Sequence, residues 1–101
     1  MFGFSKVASI TTDELMEKLE QPIKLLDVRE VDEYRAGHIK AARNVPLSGI
    51  SSFSAPKTGT FYVICQSGMR SKRACKILTQ AGFDVVNVAG GMSAWCGKVV
   101  K

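Results

Sequence analysis

Histidine and tryptophan each occur only once in this chain of 101 residues, and cysteine occurs three times. The cysteines are Cys65, Cys75 and Cys96, and an odd number without paired spacing argues against a framework of disulfide bonds. No two of them lie two to four residues apart, and His38 is the sole histidine, so no zinc-site pattern is present. Each cysteine must therefore be judged from its own surroundings.

Long apolar stretches and runs of like charge are also missing, so neither a signal segment nor a membrane anchor is expected. Lys and Arg outnumber Asp and Glu by 14 to 9, which gives a net charge of +5. The basic residues are dispersed apart from Arg70, Lys72, Arg73 and Lys76, and aromatic residues are not interleaved with that group. We therefore expect a cytoplasmic protein that attracts a small anion and has no nucleic-acid or membrane partner.

What is present suits a single globular domain covering residues 1–101, with 46% hydrophobic and 23% charged residues. Apolar or β-branched runs predict strands at 7–10, 23–27, 43–46, 60–64 and 84–88. Helices are predicted from a capping box of Thr11 and Glu14 to about residue 20, at 30–36, at 71–81, and in a short stretch ending at Trp95. Residues 48–59 are expected to hold a short helix or turn, and 97–101 a tail. This alternation predicts an α/β fold: a small, mostly parallel sheet of about five strands, flanked by helices on both faces.

The junction after the strand at 60–64 is the most informative stretch. Cys65 follows four apolar residues, and a short polar loop then leads into the best helical pattern of the chain. In an open α/β sheet, ligand sites lie at such carboxyl ends of strands. Gly68 gives the loop freedom to aim backbone N–H groups inward, and the helix dipole and Arg70 add positive charge, all of which favour the thiolate. Because a helix terminus contributes only about 0.3–1 kcal/mol, we expect the loop geometry to matter more than the helix charge. The alternative is that Cys65 is merely a small buried apolar residue.

Several segments together resemble the rhodanese family of sulfurtransferases. They are CQSGMRS at 65–71, DVRE at 27–30 with Glu33 and Tyr34, GHI at 37–39, NVP at 44–46, and GGM at 90–92 with Trp95. They occur in the order typical of the family and cover nearly the whole chain. The resemblance implies a small parallel sheet flanked by helices, and a cysteine that carries a persulfide sulfur between a donor and an acceptor.

Transferred to this sequence, the resemblance implies that Cys65 is the nucleophile and persulfide carrier. Arg70 would close the loop and help to hold thiosulfate or another anionic donor. The substrate-binding residues would be Gln66, Ser67, Gly68, Met69, Arg70 and Ser71. Thioredoxin-like proteins and glutathione are candidate sulfur acceptors, and neither a metal nor an organic cofactor is needed.

Two other functions remain open beside sulfur transfer. Phosphatases and arsenate reductases of the same superfamily are one, but here four residues separate Cys65 from Arg70, where related dual-specificity phosphatases have five. The shorter loop suits a single sulfur atom better than a phosphoryl group. A non-catalytic, rhodanese-like binding or regulatory module is the other. Modules of that kind commonly lack the nucleophile, which this chain retains.

Residues outside the loop are assigned supporting or structural parts. Asp27 and Arg29 are expected to form an ion pair or loop hydrogen bonds that support the site, with Glu33 in the same network. The ring of His38 is expected to satisfy nearby backbone groups. Cys75 is expected to pack in the core. Whether Cys96 resolves an oxidised Cys65 is left open by the sequence.

Overall fold

The computed structural model describes residues 7–101 and contains a five-stranded, all-parallel sheet. The strands are β1 (Ser9–Ile10), β2 (Lys24–Asp27), β3 (Ala42–Asn44), β4 (Thr60–Ile64) and β5 (Asp84–Val88), in the spatial order β1-β5-β4-β2-β3. The helices are α1 (Thr12–Lys18), α2 (Val31–Ala36), α3 (Met69–Gln80) and α4 (Gly91–Ala94), with a 3₁₀ segment at Leu47–Ser52. The predicted α/β class and mostly parallel sheet are confirmed.

Both faces of the sheet are covered, which explains the continuous apolar runs of its central strands. On one face, Leu26, Val63 and Val85 pack with Ala74 and Leu78 of α3. On the opposite face, the alternate strand residues pack with side chains of α1, α2 and α4; they include Leu25, Ile64 and Val88, with Leu15, Tyr34 and Met92 from the helices. The sheet therefore lies between two helical layers, and β4 lies at its centre.

Local sequence accounts for where the first helix begins and which side it buries. Thr11 Oγ1 accepts the Glu14 N–H over 3.1 Å, and Glu14 Oε1 accepts the Thr11 N–H over 2.8 Å. This reciprocal capping box satisfies two N–H groups that the helix itself leaves without partners. Leu15 lies one residue further on and is fully buried, so the cap directs the apolar side of α1 onto the sheet.

The structure differs from the predicted boundaries at several ends. β1 has only two residues, β3 begins and ends earlier than 43–46, and α1 ends at Lys18. α3 begins at Met69 rather than at 71, because Gly68 with φ 101° forms its amino-terminal cap. Residues 97–101 do not simply trail away: Val100 exchanges two backbone hydrogen bonds with His38, over 2.8 and 2.9 Å.

Residues 1–6 of the predicted domain 1–101 lie outside the described residues. Within residues 7–101, no helix is both long enough and apolar enough to cross a membrane.

Candidate active site

Cys65 directly follows β4, at the carboxyl end of the central strand. Its residue is 0% exposed, and it belongs to the apolar cluster on the α3 side of the sheet. Residues 65–71, called here the cysteine loop, turn around its sulfur and enter α3. The Gly68 N–H donates to Cys65 Sγ over 3.0 Å. The thiol donates in turn to Ser71 Oγ over 3.3 Å.

Gly68 gives the cysteine loop its shape. Its φ of +101° lies in the region that side chains with a Cβ rarely adopt, and a Cβ there would be 3.3 Å from the Gly90 nitrogen. This conformation lets the chain reverse within three residues of Cys65, so that an N–H group points back at the sulfur. Glycine is therefore needed at position 68 because the loop requires a positive φ there.

The surroundings of Cys65 act on its pKa in opposite directions. Burial raises the pKa of the thiol, because the thiolate loses contact with water. Hydrogen bonds from the Ser71 side chain and from the backbone N–H groups of Ser71, Gly68 and Ser67 lower it. The hydrogen bonds prevail, so the pKa of Cys65 lies below its usual value and the thiolate is favoured.

The Ser71 hydroxyl lies within hydrogen-bonding distance of both the Gly68 carbonyl oxygen and Cys65 Sγ. With Cys65 protonated, it donates to the Gly68 carbonyl over 3.1 Å while it accepts the thiol proton. Once the thiol is ionised, the same hydroxyl lies close enough to donate to the sulfur. Ser71 is fully buried, so its contact is with the reacting sulfur of Cys65 and with the loop backbone.

We predict that Ser71→Ala raises the pKa of Cys65. A hydrogen bond to an ionised sulfur is worth about 1.5–3 kcal/mol, so its loss should slow alkylation by iodoacetamide by about tenfold to a hundredfold at pH values below the plateau of the rate. The rate–pH profile should shift to higher pH, with its plateau rate kept. Ser48→Ala, at an exposed position of the 3₁₀ segment, is the control. An unshifted profile would show that the hydroxyl does not stabilise the thiolate.

Asp27 and Arg29 form a buried ion pair beside the cysteine loop. Arg29 Nη2 lies 2.9 Å from Asp27 Oδ2, and the Arg29 N–H donates to Asp27 Oδ1 over 3.0 Å. The same guanidinium donates to the Gly37 carbonyl and, over 3.3 Å, to Gln66 Oε1. The ion pair thus connects the end of β2 with the end of β4 through the Gln66 side chain. Its hydrogen bonds reach Gln66 but not Cys65 Sγ.

Glu33 was predicted to share the network of Asp27 and Arg29, but its carboxylate bonds to Arg70 instead. Arg70 Nη1 lies 2.6 Å from Glu33 Oε1, and Nη2 lies 2.8 Å from Oε2. The Arg70 guanidinium is the main reason that the pKa of Glu33 is lowered from 4.5 to about 2. Arg70 therefore lies in the first turn of α3 with a carboxylate already bound to its guanidinium.

The start of α4 supports the cysteine loop from behind. The Met92 N–H donates to the Cys65 carbonyl over 2.8 Å, and the Ser93 N–H donates to the Gln66 carbonyl over 2.9 Å. Ser93 Oγ also accepts from Gln66 Nε2 over 3.1 Å. Gly91 approaches so closely that a Cβ there would be 2.3 Å from the Cys65 carbonyl oxygen. Neither this contact of Gly91 nor the contacts of Ser93 were predicted from the sequence.

The other candidate residues lie elsewhere. His38 Nδ1 is 2.8 Å from the Tyr34 carbonyl oxygen, a local backbone contact of the expected kind. Cys75 is fully buried in α3, and burial, followed by the charge of Cys65, raises its pKa to about 12. Cys96 is an exposed free thiol. In the part of the chain that the structure describes, no three His, Cys, Asp or Glu side chains are grouped to hold a metal ion.

Comparison with known proteins gives one consistent result. Residues 11–98 match the model of the rhodanese-like domain. The chain is 39% identical over 97 residues to "Putative sulfurtransferase YtwF" of Bacillus subtilis, an alignment that covers 92% of this chain and 94% of that protein. It is 30% identical over 96 residues to "Thiosulfate sulfurtransferase GlpE" of Pseudoalteromonas translucida, covering 92% and 90%. The crystal structure of a rhodanese-like domain protein from Staphylococcus aureus superimposes with a TM-score of 0.82 at 39% identity, covering 91% of this chain and 94% of that one.

Proposed function

Because the chain belongs to the rhodanese-like domain family, we propose that it is a sulfurtransferase that moves a sulfane sulfur through a persulfide on Cys65. The names of its relatives support sulfur transfer in general. Thiosulfate or a persulfide is the donor, and a thiol such as glutathione or a thioredoxin-like protein is the acceptor. The observation that carries the proposal is the cysteine loop itself, in which the Gly68 N–H and the Ser71 hydroxyl contact a buried Cys65 whose pKa is lowered.

In the first step, the Cys65 thiolate attacks the outer sulfur of thiosulfate. The new S–S bond forms as the old one breaks, and sulfite leaves with the electron pair of the broken bond. The negative charge then lies on the outer sulfur of the Cys65 persulfide. Backbone N–H groups from Gln66 to Arg70 would surround that sulfur, and fixed donors of this kind stabilise a developing charge without having to reorganise.

In the second step, an acceptor thiolate or cyanide attacks the outer sulfur, and Cys65 leaves as a thiolate. The product is a new persulfide or thiocyanate, and the enzyme returns to its starting state. Covalent catalysis divided in this way predicts ping-pong kinetics, because the first product leaves before the acceptor reacts.

Formation of thiocyanate from thiosulfate and cyanide tests the proposal. We expect parallel lines in double-reciprocal plots, no turnover with Cys65→Ser, and unchanged turnover with Cys96→Ser, since Cys96 is an exposed thiol that the mechanism does not use. If the protein hydrolyses an aryl phosphate and forms no thiocyanate, the proposal of sulfur transfer is wrong and the protein is a phosphatase. If neither reaction occurs with small donors or with protein persulfides, the chain is a binding module instead.

A further inference from the structure

Arg29, which contacts the cysteine loop, and Arg70, which belongs to it, are both paired with carboxylates of the same chain. Arg29 is held by Asp27, with both side chains buried, and Arg70 is held by Glu33. An incoming anion therefore meets two charge pairs at the loop rather than two available guanidinium groups. This matters most for thiosulfate, which carries two negative charges and gains most from an uncovered arginine.

Glu33 is held rigidly in front of Arg70. Its Oε1 accepts from Arg70 Nη1 over 2.6 Å and also from the Glu30 N–H, over 3.0 Å, in the capping box at the start of α2. Its Oε2 accepts from Arg70 Nη2 over 2.8 Å. A paired, two-point contact of this kind is strong and geometrically specific. An anionic donor must compete with the Glu33 carboxylate for Arg70. That carboxylate loses little conformational entropy by pairing with Arg70, because the capping box of α2 already holds it in place.

The Arg70–Glu33 pair is open to solvent, whereas the Arg29–Asp27 pair is buried. The side chains of Arg70 and Glu33 are 35% and 36% exposed, whereas those of Arg29 and Asp27 are 5% and 0% exposed. Of the two carboxylates, that of Glu33 can be reached from solvent, while the Asp27 carboxylate is buried against Arg29. Because Arg70 belongs to the cysteine loop, the negative charge of Glu33 lies beside that loop and in contact with solvent.

We infer that Glu33 selects the sulfur donor: it neutralises Arg70 and so disfavours doubly charged thiosulfate relative to donors with at most one negative charge, such as organic persulfides. This inference rests on the proposed function and adds to it the class of donor that the site prefers. Glu33 acts through Arg70 and through its own charge, so it is a positioning and selectivity residue and takes no part in bond making.

Paired alkylating reagents test the charge of Glu33 beside the cysteine loop without any sulfur transfer. Iodoacetate is an anion and iodoacetamide is neutral, so the ratio of their rates at Cys65 reports the local field. We expect Glu33→Gln to raise the iodoacetate-to-iodoacetamide ratio at Cys65 by about threefold to tenfold, because a like charge is removed and Arg70 is uncovered. The modified cysteine is identified by peptide mass spectrometry, and Cys96 in the same molecule serves as the internal reference.

Asp32→Asn is the matched control. Asp32 is the exposed neighbour of Glu33 in the first turn of α2, and its substitution removes the same charge without uncovering Arg70. The ratio at Cys65 should change by less than about twofold, as expected for a screened surface charge. A rise equal to that of Glu33→Gln would show that net charge, and not the release of Arg70, is responsible, and would overturn the inference.

Donor kinetics complete the test. Glu33→Gln should lower KM for thiosulfate by about threefold to tenfold and leave KM for an organic persulfide within about twofold. Adding Arg70→Gln to Glu33→Gln should abolish the decrease in KM for thiosulfate.

Two outcomes would contradict part of this reasoning. An unchanged alkylation ratio, together with equal losses of activity with both donors, would show that Glu33 only holds the loop in place. If no variant transfers sulfur but the alkylation ratio still rises, the proposed sulfur transfer fails, and the charge effect of Glu33 stands.

Discussion

Gly68→Val is expected to slow alkylation of Cys65 by iodoacetamide at least about tenfold at neutral pH, and Lys72→Ala less than about fivefold. Gly68 has φ +101°, which a β-branched residue does not tolerate, and its N–H donates to the sulfur over 3.0 Å. Valine would force the backbone to turn, and the N–H would leave the thiolate. Lys72 is exposed and supplies only a screened charge near the start of α3.

The ranking of these two variants decides whether backbone geometry or nearby charge activates Cys65. Circular dichroism and the unfolding midpoint show whether Gly68→Val still folds, and Cys96 again provides a reference rate in the same sample. A larger effect of Lys72→Ala would mean that electrostatic attraction by α3 dominates. The hydrogen bonds around the sulfur would then be incidental.

Gly91→Ala is expected to destabilise the protein by about 2–5 kcal/mol and to disrupt the cysteine loop. A Cβ at this position would be 2.3 Å from the Cys65 carbonyl oxygen and 2.7 Å from the Gln66 carbonyl oxygen. It would also sit at φ +57°, which costs an L-residue about 1–2 kcal/mol. Moving α4 aside would weaken its hydrogen bonds to those two carbonyls, at about 0.5–1.5 kcal/mol each.

Urea unfolding measures this effect, and Gly49→Ala is the control. Gly49 lies in the 3₁₀ segment with no atom within 4 Å of an added Cβ, so that substitution should change the free energy of unfolding by less than about 0.5 kcal/mol. If Gly91→Ala were as mild as Gly49→Ala, the close contact between α4 and the loop would not exist in solution.

Much of the fold follows from local patterns. Residues 60–64 and 84–88 were predicted as strands and are β4 and β5 with the same bounds, because β-branched runs buried on both sides carry a strong signal. The end of α1 and the start of α3 were less accurate: helix ends vary by one or two residues, and the cap at Gly68 starts α3 two residues earlier than predicted. The pairing of Val100 with His38 joins positions far apart in sequence, and no local pattern encodes it.

For the candidate site, the sequence predicted the position of Cys65 and the need for glycine at 68, both of which are properties of a strand–loop–helix junction. It did not predict the partner of Arg70. Glu33 and Arg70 are 37 residues apart and meet only because β2 and β4 are parallel neighbours whose carboxyl ends share an edge of the sheet. An acidic residue at the start of the helix after β2 was the available signal, but the N-cap residue Glu30 and the first-turn residues Asp32 and Glu33 all satisfied it.

The most direct test of the account is mass spectrometry of the intact protein and its peptides after treatment with thiosulfate and removal of excess reagent. We predict that the mass of one sulfur atom is added, that it maps to Cys65, and that cyanide removes it as thiocyanate. Sulfur that maps to Cys75 or Cys96, or a Cys65→Ser variant that loads as well as the unaltered protein, would contradict it.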